Sequence, residues 1–431
     1  MYDDLGSAEL GCFGQKKIRT PHSDRLAREG MRLTSCYAGG SVCAPSRGVL
    51  MTGLHLGHAP VRANALTVPL EPGDVTVAES LQQAGYATGG FGKWGLGDAG
   101  TTGTPRKQGF DEFFGYLHQT QAHNYWPEYL RDGDEKVPLP ENVGRKMGRY
   151  SADMIAERMY RFIDRNHSKP FFLYATPTLP HAAFHPPNEG EYANEPWTPF
   201  AKKYAAMVSD ADAQLGKILK MLDDYGLASN TIVFCTSDNG GPKQQDREAN
   251  AFFQTNAELR DFKGSLWEGG IRVPMIVRWP GRVAAGSVNA TPCYFADFLP
   301  TAVDLIGGKR RASDGMSLLP VLTGARAARP RYLYWEQERF NTRDRKWVPD
   351  TLEQAARFGD WKAVRLRDGK PQLFDLSKDP SEKNDVAAAN PREMARFEAY
   401  FQSARVAPRP HDNGNPEWIG RKDMPLEKET K

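Results

Sequence analysis

The 431-residue chain has no apolar run approaching the roughly 20 residues that cross a bilayer, which excludes a helical membrane span. Its opening, MYDDLGSAEL, has neither the basic start nor the apolar middle of an export signal, so no targeting segment can be read there. Cysteine is scarce. Five residues, Cys12, Cys36, Cys43, Cys235 and Cys293, are odd in number and widely spaced, which excludes a disulfide framework and leaves at least one thiol unpaired; no CxxC pair suggests zinc. Charge of one sign is also lacking: 56 Lys and Arg against 53 Asp and Glu leave a net charge of +3, which gives no reason to expect nucleic acid or an anionic membrane as the main partner. No internal repeat or low-complexity tract is present. What remains, 40% hydrophobic and 25% charged residues, describes a globular chain long enough for a large core and a smaller second unit.

Helical and strand patterns alternate along it. Thr76 with Glu79 three residues later forms a capping-box signature, predicting a helix to Gly85 and a strand from Tyr86 to Phe91 before a glycine-rich turn. The segment 149–166 places Met154, Ile155, Met159, Phe162 and Ile163 on one helical face, and KPFFLYAT follows as a strand. A long helix is expected from about Phe200 to Tyr225, followed by the buried strand of NTIVFCTSDNGG. Helix then strand, repeated, predicts an α/β fold: a mostly parallel central sheet covered by helices on both faces. ARAARPR marks a boundary, dividing the chain into residues 1–325 and 326–431. Beyond it RYLYWEQ, WKAVRLRDG and PQLFDLS predict a short antiparallel sheet, with a helix near Pro391 to Arg405, in a small α+β unit.

In such sheets ligands gather at the carboxyl ends of strands, and Lys93, His181, Asp238 and Asn239 each follow a predicted strand. Asp3, Asp4, Asp238 and Asn239 are oxygen donors of the type that binds hard divalent cations, although each pair alone reads equally as a solvated turn. In SVCAPSRGVLMTG, Pro45 fits the first turn of a helix running through Met51, so Cys43 lies at or beside a helix N-terminus, with Arg47 one turn in. A nucleophile there would be surrounded by anion-binding groups; a small buried cysteine is the plainer alternative.

The run C-A-P-S-R from Cys43 to Arg47, followed by G-V-L-M-T-G, resembles the signature of the type I, formylglycine-dependent sulfatases of the alkaline phosphatase superfamily. So do DDLGSAELGCFG, TPHSDRLAREG, FGKWGLG, KQGFDEFFGYL, TSDNGG, FKGSLWEGGIRVPMIVRWPG and LFDLSKDPSEKNDVA, in order along nearly the whole chain. The resemblance implies hydrolysis of a sulfate ester by 3-oxoalanine (formylglycine) formed from Cys43, and hence a formylglycine-generating maturation enzyme as partner. It implies Ca2+ held by Asp3, Asp4, Cys43, Asp238 and Asn239, with Arg47 steadying the hydrated aldehyde, Lys93 and Lys263 on the sulfate, and His181 protonating the leaving alcohol. A sulfated carbohydrate is the expected substrate, and a periplasmic or secreted location is expected for the full-length form. The neighbouring readings are a phosphonate or phosphate ester hydrolase of the same superfamily, and a non-catalytic binder of sulfated glycans that keeps Cys43 as a thiol.

Two departures carry expectations of their own. The family has an apolar strand directly before the Asp-Asp pair, whereas only Met1 and Tyr2 precede it here. The expectation is a gene start upstream that carries this strand and an export signal, the alternative a sheet without its usual first strand, and in this chain Asp3 and Asp4 are expected to be poorly tethered. Gly95 stands where many sulfatases have histidine, two residues after the lysine. His118 or His123, in GYLHQTQAHNYWPEYL, is the expected replacement or a substrate contact, with Asn124 and Tyr125 beside them. Aromatic and amide groups suit the faces and hydroxyls of sugars. Glu336, Arg339 and Asn341 are candidates for the opposite wall.

Overall fold

The computed structural model describes residues 1–64, 68–242, 251–309, 311–325, 329–341, 346–367 and 369–409. The boundary expected between 325 and 326 abuts residues 326–328, outside the described residues. The first half of the chain contains β1 (Met31–Tyr37), β2 (Ala87–Lys93), β3 (Glu112–Tyr116), β4 (Tyr129–Asp132), β5 (Glu135–Pro138) and β6 (Phe171–Thr176). After these come β7 (Val233–Thr236), β8 (Arg272–Arg278), β9 (Ser287–Asn289) and β10 (Cys293–Tyr294). One sheet runs β5-β4-β3-β2-β6 and the other β10-β1-β8-β7, with β9 also paired to β1. Ladders on both sides of β2 are parallel, and those on both sides of β8 are antiparallel, so the sheets are mixed.

Between the facing edges β6 and β7 lie the first residues of the chain. The Met1 nitrogen donates to Ala175 O at 2.7 Å, Tyr2 N to Thr236 O at 2.8 Å, Asp238 N to Tyr2 O at 3.1 Å, and Asp3 N to Leu179 O at 3.0 Å. Tyr2 forms a parallel bridge with Ser237. A full strand is absent here, yet this stub ties Asp3 and Asp4 to both sheets. Asp4 N donates to Asp238 Oδ1 at 3.1 Å and Leu5 N to Ser237 Oγ at 2.8 Å. The expectation of a loosely tethered pair is therefore corrected: side-chain acceptors after β7 do the tethering that a longer ladder would otherwise do.

Helices cover the sheets where periodicity places them: α1 (Pro21–Glu29), α2 (Cys43–Thr52), α3 (Val77–Gln83), α4 (Ser151–Asn166) and α5 (Pro199–Asp224). The capping box at α3 is formed, with Glu79 N donating to Thr76 Oγ1 and Thr76 N to Glu79 Oε2. On α4, Ile155, Met159, Phe162 and Ile163 are buried, with the ring of Phe91 of β2 tilted against that of Phe162 at a centroid distance of 5.5 Å. Burying such a side chain contributes about 1.5–3 kcal/mol, which fixes helices whose intrinsic propensity is modest.

The C-terminal part forms a four-stranded antiparallel sheet. Its strands are β11 (Tyr332–Gln337), β14 (Glu353–Phe358), β15 (Trp361–Arg365) and β16 (Pro371–Asp375), with a short pair β12 (Phe340–Asn341) and β13 (Lys346–Trp347) between. The helix Pro391–Ser403 buries Met394, Phe397 and Phe401 against it. This sheet is joined to the larger part by buried polar groups: the Trp335 indole donates to Ala38 O at 2.8 Å, and Lys362 lies between Glu268 (3.0 Å) and Glu382 (2.7 Å). Lys362 therefore braces the loop that carries Lys263 from outside the main sheets. No helix among the described residues is long and apolar enough to cross a membrane.

Candidate active site

Strand ends and one helix start converge on the thiol of Cys43, the first residue of α2. Asn64 Oδ1 accepts the amide of Ala44 at 2.9 Å, satisfying one of the free donors at that helix end. The sulfur lies 3.6 Å from Asp3 Oδ1, 3.9 Å from Asp4 Oδ1 and 3.4 Å from Lys263 Nζ. One turn on, Arg47 is buried with Nε and Nη2 at 3.1 and 2.8 Å from Asp238 Oδ2, Nη2 at 3.4 Å from Asp3 Oδ2, and Nη1 donating to Lys93 O at 2.7 Å. Lys93 ends β2 with Nζ 2.8 Å from Asp3 Oδ2, and Lys263 Nζ lies 2.6 Å from Asp4 Oδ2. His181, in the loop after β6, has Nε2 3.1 Å from Lys263 Nζ and 3.3 Å from Asp4 Oδ2, while Nδ1 bonds to Ala182 O.

Three carboxylates thus face three permanent cations within a buried volume. The Lys263 side chain is 17% exposed whereas those of Asp3, Arg47 and Lys93 are fully buried, so the site opens on the Lys263 side. Burial pushes the Asp3 and Asp4 carboxyls upward, but Lys93 and His181 outweigh it at Asp3, and Lys263 and His181 at Asp4, so both are held below the ordinary carboxylate range. Burial opposes the charge on Lys93 and Lys263 too, and their carboxylate partners prevail and raise both. Burial pushes the Cys43 thiol up to about 12 despite Lys263 and Lys93, so the sulfur stays protonated at neutral pH and is a poor nucleophile. Burial also lowers His181 to about 4, against the pull of Asp4, leaving a neutral ring.

The donor set fits a hard divalent cation. One oxygen or sulfur or nitrogen from each of Asp3, Asp4, Cys43 and His181 falls within 4.8 Å of the others. Asn239 Oδ1 is buried with no hydrogen-bond partner among the described residues, while its Nδ2 donates to Asp4 Oδ1 at 2.8 Å. An unpartnered buried amide oxygen on a side chain that touches one of the paired carboxylates is a group that a calcium-like ion satisfies. Asp4 adopts φ 66°, a left-handed conformation that aspartate tolerates. Asp238 is oriented by Arg47 and by the Asp4 amide.

The aromatic loop divides. His123 stacks on His181 with centroids 4.0 Å apart and so reaches the centre through that ring. His118 is buried, its Nε2 4.0 Å from Asp98 and its Nδ1 accepting Thr120 N at 3.0 Å. Asn124 Oδ1 accepts Trp126 N at 2.9 Å, and the wholly buried Tyr125 has its hydroxyl 2.6 Å from Thr178 O and 2.8 Å from His181 O. Tyr125 supports the His181 loop from beneath. Glu336 is taken by Arg62 and Arg405 at 3.2 and 3.0 Å, an ion pair within the fold. The space beside Gly95 is filled by Gln119, a residue to which no sequence signal drew attention; nor did any draw attention to Asn64.

A second cluster, His55, His58 and Asp314, has the two rings stacked 4.3 Å apart. His55 Nδ1 accepts Gly57 N at 3.2 Å, which puts the ring proton on Nε2 and removes that nitrogen as a metal ligand. The cluster is a hydrogen-bonded clasp between the α2 end and the loop at Asp314.

The sulfatase family profile matches residues 1–308, and that of the C-terminal part of N-sulphoglucosamine sulphohydrolase matches residues 260–401. Steryl-sulfatase of Mus musculus is 29% identical, over 94% of this chain and 81% of that protein. N-acetylgalactosamine-6-O-sulfatase of Bacteroides thetaiotaomicron is 28% identical, over 94% of this chain and 92% of that protein. The solved structure of Ps i-CgsB in complex with k-i-k-neocarrahexaose superposes with a TM-score of 0.79 at 28% identity, covering 96% of this chain and 94% of that one.

Proposed function

This chain belongs to the sulfatase family and is a sulfuric ester hydrolase, and from that premise we propose that it releases sulfate from a sulfated carbohydrate using formylglycine made from Cys43 and a bound Ca2+. The observation that carries the reading is the position of the Cys43 sulfur, between the Asp3–Asp4 carboxylates and the Lys263 ammonium at a helix N-terminus. Asp3, Asp4, Asp238 and Asn239, with the modified side chain at 43, would hold the calcium, which supplies positive charge against the sulfate oxygens. The modified side chain supplies a hydroxyl nucleophile that a protonated thiol does not.

Cleavage of the ester places growing negative charge on the bridging oxygen and on the sulfuryl group. Lys93 and Lys263 bring ammonium groups to the non-bridging oxygens, where fixed, desolvated charge is worth most. Arg47 holds Asp238 and the Lys93 backbone and so sets the distance between the metal ligands and the sulfate cations. His181 delivers the proton to the leaving alcohol. With Nδ1 tied to Ala182 O and Nε2 facing Lys263, the proton is drawn from the His181–Lys263 pair rather than from a free imidazolium. His123, stacked on His181, forms the near wall for the sugar, with Tyr125 holding the His181 loop, Asn124 holding the turn to Trp126, and His118 beside Asp98.

The domain division at 325 and 326 belongs to the same reading, with the C-terminal sheet closing one side. A maturation enzyme is required as partner, and a polysaccharide substrate puts the working enzyme in the periplasm or outside the cell. The test is paired hydrolysis of phenyl sulfate and phenyl phosphate, with a panel of sulfated monosaccharides. Release of sulfate from the sugar esters in preference to phosphate supports the reading; preferential phosphate or phosphonate hydrolysis overturns it.

A further inference from the structure

We propose that the pocket beside Gly95 is a subsite for a neutral hydroxyl of the substrate, recognised by the side-chain amide of Gln119; it rests on the sulfate-ester reading and names what lies next to the ester. Gly95 has φ +80°, and a Cβ there would stand 2.2 Å from Gln119 Nε2 and 2.8 Å from its Cδ. Only glycine lets the amide close over this backbone. The side chain is 7% exposed, and neither Nε2 nor Oε1 has a hydrogen-bond partner among the described residues. An amide buried with both ends unmet costs stability, and it lines a pocket with Val68, Pro69, Leu117 and Asp98.

Several neighbouring polar groups are satisfied by contrast. The Trp94 indole donates to Gly103 O at 2.8 Å, Gly95 N to Leu117 O at 3.1 Å, and Thr101 Oγ1 to Asp98 O at 2.7 Å. Thr104 Oγ1 and Gln108 Oε1 are also without partners among the described residues, but they do not line the pocket, whereas Gln119 does. A primary amide offers both a donor and an acceptor, which is the complement of a hydroxyl. Asp98, whose carboxylate lies 4.0 Å from His118 Nε2, also lines the pocket, so a hydroxyl fits there better than a second sulfate or a carboxylate.

The pocket walls continue the segments that build the centre. Gly95 follows Lys93 by two residues, and Val68 follows by four the Asn64 that holds the Ala44 amide. Gln119 precedes by four the His123 stacked on His181. Under the proposal, the hydroxyl bound there belongs to the sugar that carries the ester.

The test compares the parent with Gln119→Leu and Gln119→Glu on phenyl sulfate, which has no hydroxyl, and on galactose and glucosamine monosulfates. The selectivity ratio in kcat/KM for the preferred sugar sulfate over phenyl sulfate is expected to fall about tenfold or more in Q119L, mainly through KM, as for one lost hydrogen-bonded pair. In Q119E, with a second carboxylate facing Asp98, the loss is at least as large. A ratio preserved within about twofold overturns the proposal. A second readout does not depend on turnover: saturation-transfer NMR of methyl galactoside and methyl glucoside on Cys43→Ala protein. Signal that disappears on adding Q119L supports the subsite, and no signal in C43A alone overturns it. If the parent releases no sulfate from any ester while the glycoside signal is present, the sulfatase reading fails and the subsite stands. Q119L removes an unmet amide, so its melting temperature is expected to equal or exceed the parent's; a clear drop would mean the amide is already engaged within the protein and would overturn the proposal.

Discussion

The ammonium of Lys263 stands 3.1 Å from Nε2 of His181 and 2.6 Å from Oδ2 of Asp4, so one cation touches both the ring proposed to deliver the proton and a carboxylate proposed to hold the metal. Lys263 also lies 3.4 Å from the Cys43 sulfur. Removing it takes away charge stabilisation of the sulfuryl group and the partner of His181 together. Lys263→Ala is expected to lower kcat on phenyl sulfate by about 10²–10³, the usual worth of one preorganised electrostatic contact. An effect below about threefold would place Lys263 outside the reaction.

Arg47 holds Asp238 through two nitrogens and Asp3 through one, all fully buried. Lysine cannot reproduce that fork. Arg47→Lys is expected to lose about 3–5 kcal/mol of unfolding free energy, since Asp238 is left as a poorly compensated buried charge. Denaturant unfolding of the two proteins at equal pH measures it, and equal midpoints would contradict the geometry.

Asn239 Oδ1 is buried with no hydrogen-bond partner among the described residues, and the same amide's Nδ2 donates to Asp4 Oδ1. Calcium at about 100 times its dissociation constant is expected to stabilise the protein by about 2.7 kcal/mol, raising the melting temperature, and a chelator is expected to reverse the gain. Asn239→Ala is expected to weaken this calcium response. A melting temperature insensitive to calcium would remove the metal from the account.

Glu9, fully buried beside the aspartate pair, has its carboxyl pushed up from 4.5 to about 8, mainly by burial and against hydrogen bonds from Tyr204 and the Gly6 amide. The folded protein keeps this proton to about pH 8, whereas the unfolded chain releases it near 4.5. Stability from the neutral carboxyl is therefore complete below 4.5 and lost as pH rises through about 8. Glu9→Gln is expected to flatten the decline in melting temperature between those values. An unchanged pH slope would contradict it.

Much of the fold was legible because local patterns agree with tertiary burial. The Thr76–Glu79 box, the apolar face of α4 and the long stripe of α5 each stand where spacing predicts. The strand β14, EQAARF, was not legible, since glutamate, glutamine and alanine favour helix; pairing to both β11 and β15 overrides that preference. The antiparallel setting of β8 also escaped, because strand direction depends on chain crossings rather than composition. At the site, residue types in order along the chain pointed to Cys43, Arg47, Lys93, His181 and Lys263, which do converge. Gln119 against Gly95, and Asn64 on Ala44, are long-range contacts of common residue types, and only three-dimensional proximity distinguishes them.

The central claim is that position 43 works as an aldehyde hydrate and not as a thiol. Mass analysis of the peptide spanning Cys43, from protein made in a host with the maturation enzyme and assayed for sulfate release in the same preparation, tests it most directly. The account predicts the aldehyde mass at position 43, with sulfate release in proportion to the converted fraction. An unmodified thiol at position 43 in protein that hydrolyses sulfate esters at full rate would contradict it.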